Sequence, residues 1–173
     1  MAAPLTLILG GAASGKSAHA ESLVTSTGRP RVYLATAEPY DSEMHAKIDV
    51  HRKRRGPDWR TVEAPRDLQP ALGSARAGEV VLLDCATMWL SNHLLAENDL
   101  SQAEADLIEE LTHCAAPVVV VSNEVGLSVV PDNALARRFQ TAQGHLNQTL
   151  AARADVVINV IAGLPQILKG PLS

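Results

Sequence analysis

Short runs of apolar residues alternate along this chain with segments of helical periodicity. The apolar runs occupy residues 5–9, 31–36, 80–84, 118–122 and 156–161. Most of them are apolar at consecutive positions, which is typical of parallel strands that are buried on both faces. We therefore predict five strands of a mostly parallel sheet.

Helical patterns fill the intervals between these runs. They cover residues 16–26, 41–54, 101–113 and 133–152. The third begins with Ser101 and has Glu104 three positions later, a pattern that predicts a capping box. Alternating strands and helices indicate an α/β fold with helices on both faces of the sheet. The segment 55–78 is rich in proline and glycine, and we expect loops there with one short strand or helix.

Length and charge restrict the class of protein. At 173 residues with 46% hydrophobic positions, the chain is expected to form a single domain over residues 1–173. The formal charge is −4, which argues against a nucleic acid as partner. Cys85 and Cys114 match no metal-binding or disulfide spacing, so we expect two buried thiols. No segment reads as a signal peptide or a membrane span, so a soluble, cytoplasmic protein is expected.

A glycine-rich segment follows the first predicted strand and fits the pattern G-x-x-x-x-G-K-[ST] at every fixed position. Glycines allow a tight turn whose N–H groups point at phosphate oxygens, and the following helix directs its positive end at the same anion. The sequence therefore predicts a P-loop and a P-loop NTPase-like fold. The predicted phosphate-binding residues are Gly10, Gly11, Ala12, Ala13, Ser14, Gly15, Lys16 and Ser17.

A second apolar strand ends in a carboxylate, as a Walker B strand does. Asp84 closes the run at residues 80–84. Behind a P-loop, such a carboxylate is expected to anchor Mg²⁺ together with the hydroxyl of Ser17, while Lys16 reaches the β- and γ-phosphates. Both motifs are expected at the carboxyl ends of strands, where α/β sheets bind their ligands.

A histidine followed by four basic residues stands out in the second helical segment. If residues 41–55 are helical, His51 lies on the same face as Met44 and Ile48. Two interpretations remain open. The basic run is either a solvated helix end, with His51 incidental, or a cluster that holds a triphosphate while the imidazole attacks a phosphorus.

Several longer segments together resemble one family, the bifunctional adenosylcobinamide kinase / adenosylcobinamide-phosphate guanylyltransferases of cobalamin biosynthesis. They are GGAASGKS, YLATAEPYDSEMHAKIDVHRKRR, WRTVEAP, LLDCATMWLSN, SNEVGLSVVPDNALARRFQ and GHLNQTLAARAD. The P-loop is common to many families, whereas the other segments are far more specific in combination. The resemblance covers the chain from about residue 5 to residue 169.

The resemblance implies two reactions with GTP or ATP as co-substrate and Mg²⁺ as cofactor. The first transfers the γ-phosphoryl group to the hydroxyl of adenosylcobinamide. In the second, a histidine attacks the α-phosphorus of GTP, and adenosylcobinamide phosphate then displaces it, giving adenosylcobinamide-GDP. The implied partners are therefore adenosylcobinamide and its phosphate, without nucleic acid or stable membrane insertion. The resemblance also implies a homo-oligomer, with a trimer as one form.

The resemblance also assigns site residues to this sequence. His51 is the residue expected to become guanylylated. The other implied nucleotide-binding residues lie at or after the ends of predicted strands, after the histidine, or in the segment WRTVEAP: Thr36, Ala37, Glu38, Arg52, Lys53, Arg54, Arg55, Glu63 and Asp84. Two positions depart from the family's usual pattern. Val50 stands where relatives can carry a second histidine, and Ala13 stands where arginine is frequent.

Some assignments stay open at this point. Glu124 follows the fourth predicted strand and is either a base, a metal ligand or a structural carboxylate. Leu127, Val129 and Val130 form an apolar loop that contacts the corrinoid, a neighbouring subunit or the core of the same chain. The alternative function is a single-activity P-loop kinase for another small metabolite, without a covalent intermediate. A nucleotide-dependent switch is disfavoured because the sequence has no guanine-reading N-K-x-D motif.

Overall fold

The computed structural model describes residues 5–38, 49, 53 and 56–171. Its centre is a seven-stranded sheet in the order β3-β2-β4-β5-β1-β6-β7. All neighbouring pairs are parallel except β6 and β7, which form an antiparallel hairpin at one edge. The strands are β1 (Leu5–Gly10), β2 (Arg31–Ala35), β3 (Trp59–Glu63), β4 (Val80–Asp84), β5 (Val118–Asn123), β6 (Val156–Ile161) and β7 (Leu164–Lys169).

Five helices that connect these strands have both of their ends in the described part of the chain. They are α1 (Lys16–Ser26), α2 (Gln69–Gly73), α3 (Ala86–Leu95), α4 (Leu100–His113) and α5 (Ala134–Arg153). None of the described helices is both long and apolar enough to cross a membrane.

Alternate residues of the central strands enter two different hydrophobic clusters. On one face, residues such as Leu7, Leu83 and Val120 pack against α2, α3, α4 and α5. On the other face, Ile8 and Val121 pack against α1. Because side chains alternate along a strand, the face of each residue at the strand ends follows from these two clusters.

The structure confirms the predicted α/β class. Each of the five predicted strands is present within one residue of its predicted bounds, and α1 begins and ends where its pattern placed it. The capping box predicted at Ser101 is wrong. The helix begins one residue earlier, and Asp99 caps it by accepting hydrogen bonds from the N–H groups of Ser101 and Gln102 at 2.9 and 3.2 Å. Glu104 instead accepts a hydrogen bond from the hydroxyl of Thr149 on α5.

Three further elements differ from the sequence-based expectation. The segment 55–78 contains both a strand, β3, and a short helix, α2, where one element was expected. Helix α3 and strand β7 were not predicted. The two cysteines are free, but only Cys85 is buried, whereas Cys114 is partly exposed.

Candidate nucleotide-binding site

The predicted P-loop connects β1 to α1 at the carboxyl edge of the sheet. Its backbone passes twice through the left-handed region, at Ala13 with φ of 55° and at Gly15 with φ of 93°. Between them, the N–H of Ser14 bonds the carbonyl of Gly11 at 3.3 Å. Such a turn directs successive backbone N–H groups toward one point, which is the geometry that an anion requires.

Gly10 has no room for a side chain. A Cβ atom at this position would lie 2.4 Å from Oγ of Ser14 and 2.7 Å from the carbonyl oxygen of Val160. The loop is also held from the side of the β6–β7 hairpin, because the N–H of Gly163 bonds the carbonyl of Ser14 at 2.8 Å. The fixed glycine of the motif is therefore required by close packing.

Helix α1 begins directly at the end of this loop. No side chain caps its N-terminus, and its first backbone hydrogen bond runs from His19 to Gly15 at 3.0 Å. The N–H groups of the first turn thus remain available, and the helix dipole favours a negative charge in front of them. The arrangement fits a phosphate group at this point.

Lys16 is buried at the base of the loop, where its Nζ atom donates to the carbonyl of Gly11 at 2.9 Å. Burial lowers the pKa of its ammonium group, and the nearby carboxylate of Asp84 opposes that shift. The thiol of Cys85 adds no charge at neutral pH, because burial and Asp84 raise its pKa to about 12. Asp84 is therefore the anionic group that opposes the effect of burial on the pKa of Lys16.

Asp84 ends β4 and lies on the face of the sheet that carries α1, because Leu82 two residues earlier packs in the α1 cluster. The hydroxyl of Tyr33 on the neighbouring strand donates to Oδ2 of Asp84 at 3.1 Å. Tyr33 was not among the site residues predicted from the sequence. The sequence pattern could have indicated this residue, because Tyr33 carries a polar hydroxyl in an otherwise apolar strand beside the predicted Walker B strand.

A hard-oxygen donor set fits Mg²⁺ at this edge. Mg²⁺ is usually bound in nucleotide sites by one or two protein oxygens, with phosphates and water completing its shell. Ser17 in the first turn of α1 and Asp84 would supply such oxygens, and their role as metal ligands stays a prediction. Among the described residues there is no cluster of three or more His, Cys, Asp or Glu side chains that suggests another metal site.

The residues that follow β2 divide into two groups. Thr36 is fully buried, and its hydroxyl both donates to the carbonyl of Cys85 at 2.7 Å and accepts from its N–H at 2.8 Å. This hydroxyl therefore joins two strand ends. Ala37 and Glu38 are partly exposed, and Glu38 lies 3.7 Å from Arg66 in an ion pair. Contact of all three with nucleotide stays a prediction.

Glu63 ends β3 and is exposed at the same edge, in register with Ala35. Since Ala35 is in register with Asp84, the two carboxylates stand two strands apart on one face. The predicted helix at residues 41–54 lies mostly outside the described residues. His51, Arg52, Arg54 and Arg55 belong to that part, whereas Lys53 is helical and exposed.

Asn123 ends β5 and Glu124 follows it, beside the P-loop. The N–H of Glu124 donates to the carbonyl of Gly10 at 3.0 Å, and its Oε1 accepts from the N–H of Gly126 at 3.1 Å. Leu127, Val129 and Val130 in the following loop are 90%, 90% and 73% exposed, so packing into the core of the same chain is excluded for them.

Solved structures share this architecture at low sequence identity. The flagellar accessory protein FlaH from Methanocaldococcus jannaschii has a TM-score of 0.53 and 14% identity, with 96% of this chain and 78% of that chain covered. An ATPase from the type III secretion system of pathogenic bacteria has a TM-score of 0.51 and 10% identity, with coverage of 95% and 56%. Fold and P-loop together define a P-loop NTPase-like nucleotide-binding protein.

Sequence comparison narrows that class to one family. The family model "Cobinamide kinase / cobinamide phosphate guanyltransferase" (CobU) matches residues 6–168. This chain belongs to that family.

Curated relatives match over nearly their full lengths. "Bifunctional adenosylcobalamin biosynthesis protein CobP" of Pseudomonas aeruginosa is 45% identical, covering 95% of this chain and 96% of that protein. "Bifunctional adenosylcobalamin biosynthesis protein CobU" of Salmonella typhimurium is 41% identical, with coverage of 95% and 99%. The protein of the same name from Escherichia coli is 38% identical, with coverage of 95% and 99%.

Proposed function

We propose that the protein phosphorylates adenosylcobinamide with GTP or ATP and then transfers GMP from GTP to adenosylcobinamide phosphate through a covalent intermediate on His51. The product is adenosylcobinamide-GDP. The observation that carries this proposal is the arrangement of Lys16, Ser17 and Asp84 around the P-loop, in a chain of a family described by these two activities. Cytoplasmic location follows from the proposed use of GTP and ATP.

The kinase step joins the alcohol oxygen of the acceptor to the γ-phosphorus and breaks the bond from that phosphorus to the bridging oxygen. The nucleoside diphosphate leaves with the electron pair of that bond. Lys16 and the first turn of α1 hold the β- and γ-phosphate oxygens, and little covalent work by the protein is needed. Mg²⁺, when bound to Ser17 and Asp84, neutralises charge on the phosphate oxygens.

The guanylyl-transfer step uses the same phosphate site but a different phosphorus. A ring nitrogen of His51 attacks the α-phosphorus, and pyrophosphate leaves. A phosphate oxygen of adenosylcobinamide phosphate then attacks the same phosphorus and displaces the imidazole. A neutral imidazole is nucleophilic near pH 7, which suits this role. We propose that Arg52, Lys53, Arg54, Arg55 and Glu63 contact the nucleotide.

The decisive experiment incubates the protein with GTP labelled at the α-phosphorus and then denatures it. The proposal predicts an acid-labile, alkali-stable label that is absent from His51→Ala. The matched control is His145→Ala, because His145 is an exposed histidine on α5, away from the P-loop edge. It should retain the full label.

The kinase half is measured separately with adenosylcobinamide and γ-labelled ATP or GTP. His51→Ala should retain most of this activity, since phosphoryl transfer requires positioning and Mg²⁺ but no covalent carrier. Absence of covalent label from the wild-type protein under turnover conditions would falsify the guanylyl-transfer mechanism and favour a single-activity kinase. Equal loss of both activities in a folded His51→Ala protein contradicts the division of roles.

A further inference from the structure

Three residues at the ends of adjacent strands lie on the same face of the sheet as α1. Gly10, Asp84 and Asn123 each follow by two positions a residue of the α1 cluster, namely Ile8, Leu82 and Val121. Gly10 and Asn123 are also directly in register. Because β5 lies between β1 and β4, the side chain of Asn123 stands between the P-loop and Asp84.

Four buried side-chain polar atoms have no hydrogen-bond partner among the described residues, Nε2 of His19 and Oε1 of Gln143 among them, and the other two lie at this edge of the sheet. These two atoms are Oδ1 of Asn123 and Oγ of Ser14, the hydroxyl that would lie 2.4 Å from a Cβ atom added at Gly10. Buried polar atoms in native proteins are nearly always hydrogen-bonded, so each such atom needs a specific explanation. Both atoms lie at the edge of the sheet that carries the predicted phosphate site.

The backbone of Asn123 is fixed by side chains. Its N–H donates to Oγ1 of Thr87 at 2.8 Å, and its carbonyl accepts from Nδ2 of Asn147 at 3.0 Å. Asn147 is itself held by Ser122, which donates to its Oδ1 at 2.6 Å, and by Gln143, which donates to the same atom at 2.9 Å. Oε1 of Gln143 has no hydrogen-bond partner among the described residues, while the other hydrogen bonds of the network hold Asn147 and the end of β5 in place.

This network lies on the face of the sheet opposite to the P-loop. Gln143 also donates to Oγ of Ser122 at 2.9 Å, and both side chains are fully buried. Its members come from α3, β5 and α5, which are far apart in the chain. The network therefore connects three elements to the last residue of β5.

We propose that Asn123 contacts both reactants of the phosphoryl-transfer step. Its side-chain N–H donates to an oxygen of the γ-phosphoryl group, and its Oδ1 accepts from the incoming hydroxyl. Asn123 takes no proton: the new bond forms between the acceptor oxygen and the γ-phosphorus, the diphosphate leaves, and the alcohol proton passes to a phosphate oxygen. Gln143 and Asn147 are positioning residues that act through Asn123. This inference rests on the function proposed above.

The position of Asn123 indicates which phosphate of the nucleotide it contacts. In P-loop proteins the lysine reaches the β- and γ-phosphates, and the Walker B carboxylate serves the metal that joins them. A side chain between Lys16 and Asp84 therefore faces the γ-phosphoryl group. In guanylyl transfer the attacked atom is the α-phosphorus, so substitution of Asn123 should slow that reaction less than the kinase reaction.

The test uses Asn123→Asp, which keeps the shape of the side chain, removes its donor and adds a negative charge. We expect the kcat of the kinase reaction to fall about 100-fold, the effect of removing one donor to a developing charge. GMP transfer should fall by less. Titration calorimetry with Mg²⁺ should show weaker binding of a non-hydrolysable GTP analogue and unchanged binding of GDP.

The matched control is Asn159→Asp. Asn159 is partly buried on β6, in register with Leu9 and therefore on the opposite face from Asn123. It should behave as the wild type in all assays. Equal affinities of Asn123→Asp and wild type for the GTP analogue, or equal loss of both activities, overturn the inference. If the wild type itself transfers neither the phosphoryl group nor GMP, the proposed function fails. The affinities of Asn123→Asp and of the wild type for the GTP analogue still test whether Asn123 contacts the γ-phosphate.

Gln143→Met tests the positioning network separately. It removes the two donated hydrogen bonds and keeps the length of the side chain. We expect a lower kcat for the kinase step with an unchanged KM for the nucleotide, because the binding loop is intact. The control Gln148→Met lies on the same helix at an exposed position. If Gln143→Met or Asn123→Asp does not fold, Ser122→Ala and Asn123→Ser are judged by the same readouts, and unchanged kcat values contradict the proposal.

Discussion

The hydroxyl of Tyr33 donates a hydrogen bond to Oδ2 of Asp84 at 3.1 Å, across two neighbouring parallel strands. The ring of Tyr33 is buried and packs edge-on against Trp59 with 6.2 Å between centroids. The proposed metal-binding carboxylate therefore has one oxygen oriented by a rigid neighbour. A hydrogen bond that orients a metal-binding carboxylate is expected to change the affinity of the site for the metal ion.

Tyr33→Phe tests that relationship, because it removes the hydroxyl and keeps the ring. We expect the Mg²⁺ concentration for half-maximal kinase activity to rise several-fold, with little change in the KM for the acceptor. The free energy of unfolding should fall by about 1 kcal/mol, the usual net value of one hydrogen bond. An unchanged Mg²⁺ requirement contradicts the proposed role of Asp84 as a metal ligand oriented by Tyr33.

Gly10→Ala should damage the phosphate site through backbone crowding. The new Cβ would approach the carbonyl oxygen of Val160 to 2.7 Å, and a backbone atom cannot move aside as a side chain can. We expect lower thermal stability and weaker binding of GDP, measured by denaturation and calorimetry. Gly78→Ala is the control, because a Cβ there meets no atom within 4 Å. Wild-type affinity in Gly10→Ala contradicts the observed packing.

Asn92 joins the loops that follow β2 and β3. It is 1% exposed, and its Nδ2 donates to the carbonyls of Thr36 and Pro65 at 2.8 and 2.9 Å. Asn92→Ala leaves both carbonyls without this donor and should cost on the order of 2–4 kcal/mol of unfolding free energy. Because both loops are proposed to contact nucleotide, the KM for GTP should rise too.

The control for this change is Asn98→Ala. Asn98 is exposed and bonds the ring of His93 at 2.9 Å, so its loss should cost much less stability. Chemical denaturation of both variants measures the difference. Equal destabilisation by the two substitutions indicates that Asn92 does not hold the site loops.

Glu110 should make stability depend on pH. Burial raises the pKa of its carboxyl to about 7, and the charges of Asp67, Asp106 and Glu109 add to the shift. The folded protein then binds more protons than the unfolded chain between the ordinary glutamate pKa and about 7. Stability accordingly falls as the pH rises through that interval.

Glu110→Gln removes this cost of ionisation. The variant should be more stable than the wild type at pH 8, and its advantage should shrink as the pH is lowered toward 5. Glu97→Gln is the control, because it removes a carboxylate from an exposed loop position outside the cluster. Thermal denaturation at both pH values measures the effect. A constant difference for Glu110→Gln contradicts the raised pKa.

Much of the fold was predictable from local patterns. The five central parallel strands are buried on both faces, so their continuous apolar runs are distinctive. Strand β7 was not predictable in this way, because all six of its residues are exposed and it contains Pro165. Helix α3 was missed because it buries polar residues, among them Thr87 and Asn92, which interrupt its apolar pattern.

The candidate site was predictable where a motif and a strand end coincide. The P-loop and Asp84 do meet at one edge of the sheet, as the order of elements indicated. The face on which Asn123 lies was not predicted, although its place after the run at residues 118–122 puts it at the same edge. Alternation from Val121 was sufficient to assign that face. The polar partners of Thr36 and Asn123 were not predictable, because tertiary packing alone brings distant residues such as Asn92 and Asn147 to them.

The bond from Gly163 to Ser14, with the pairing of β1 to β5 and β6, has a consequence for protein synthesis. Strand β1 leaves the ribosome early, but its partners in the sheet are made more than a hundred residues later, from Val118 onward. At about 5–20 residues per second, the P-loop waits several seconds or longer for its neighbours. We therefore expect the phosphate-binding loop to reach its final conformation only after translation has passed the β6–β7 turn.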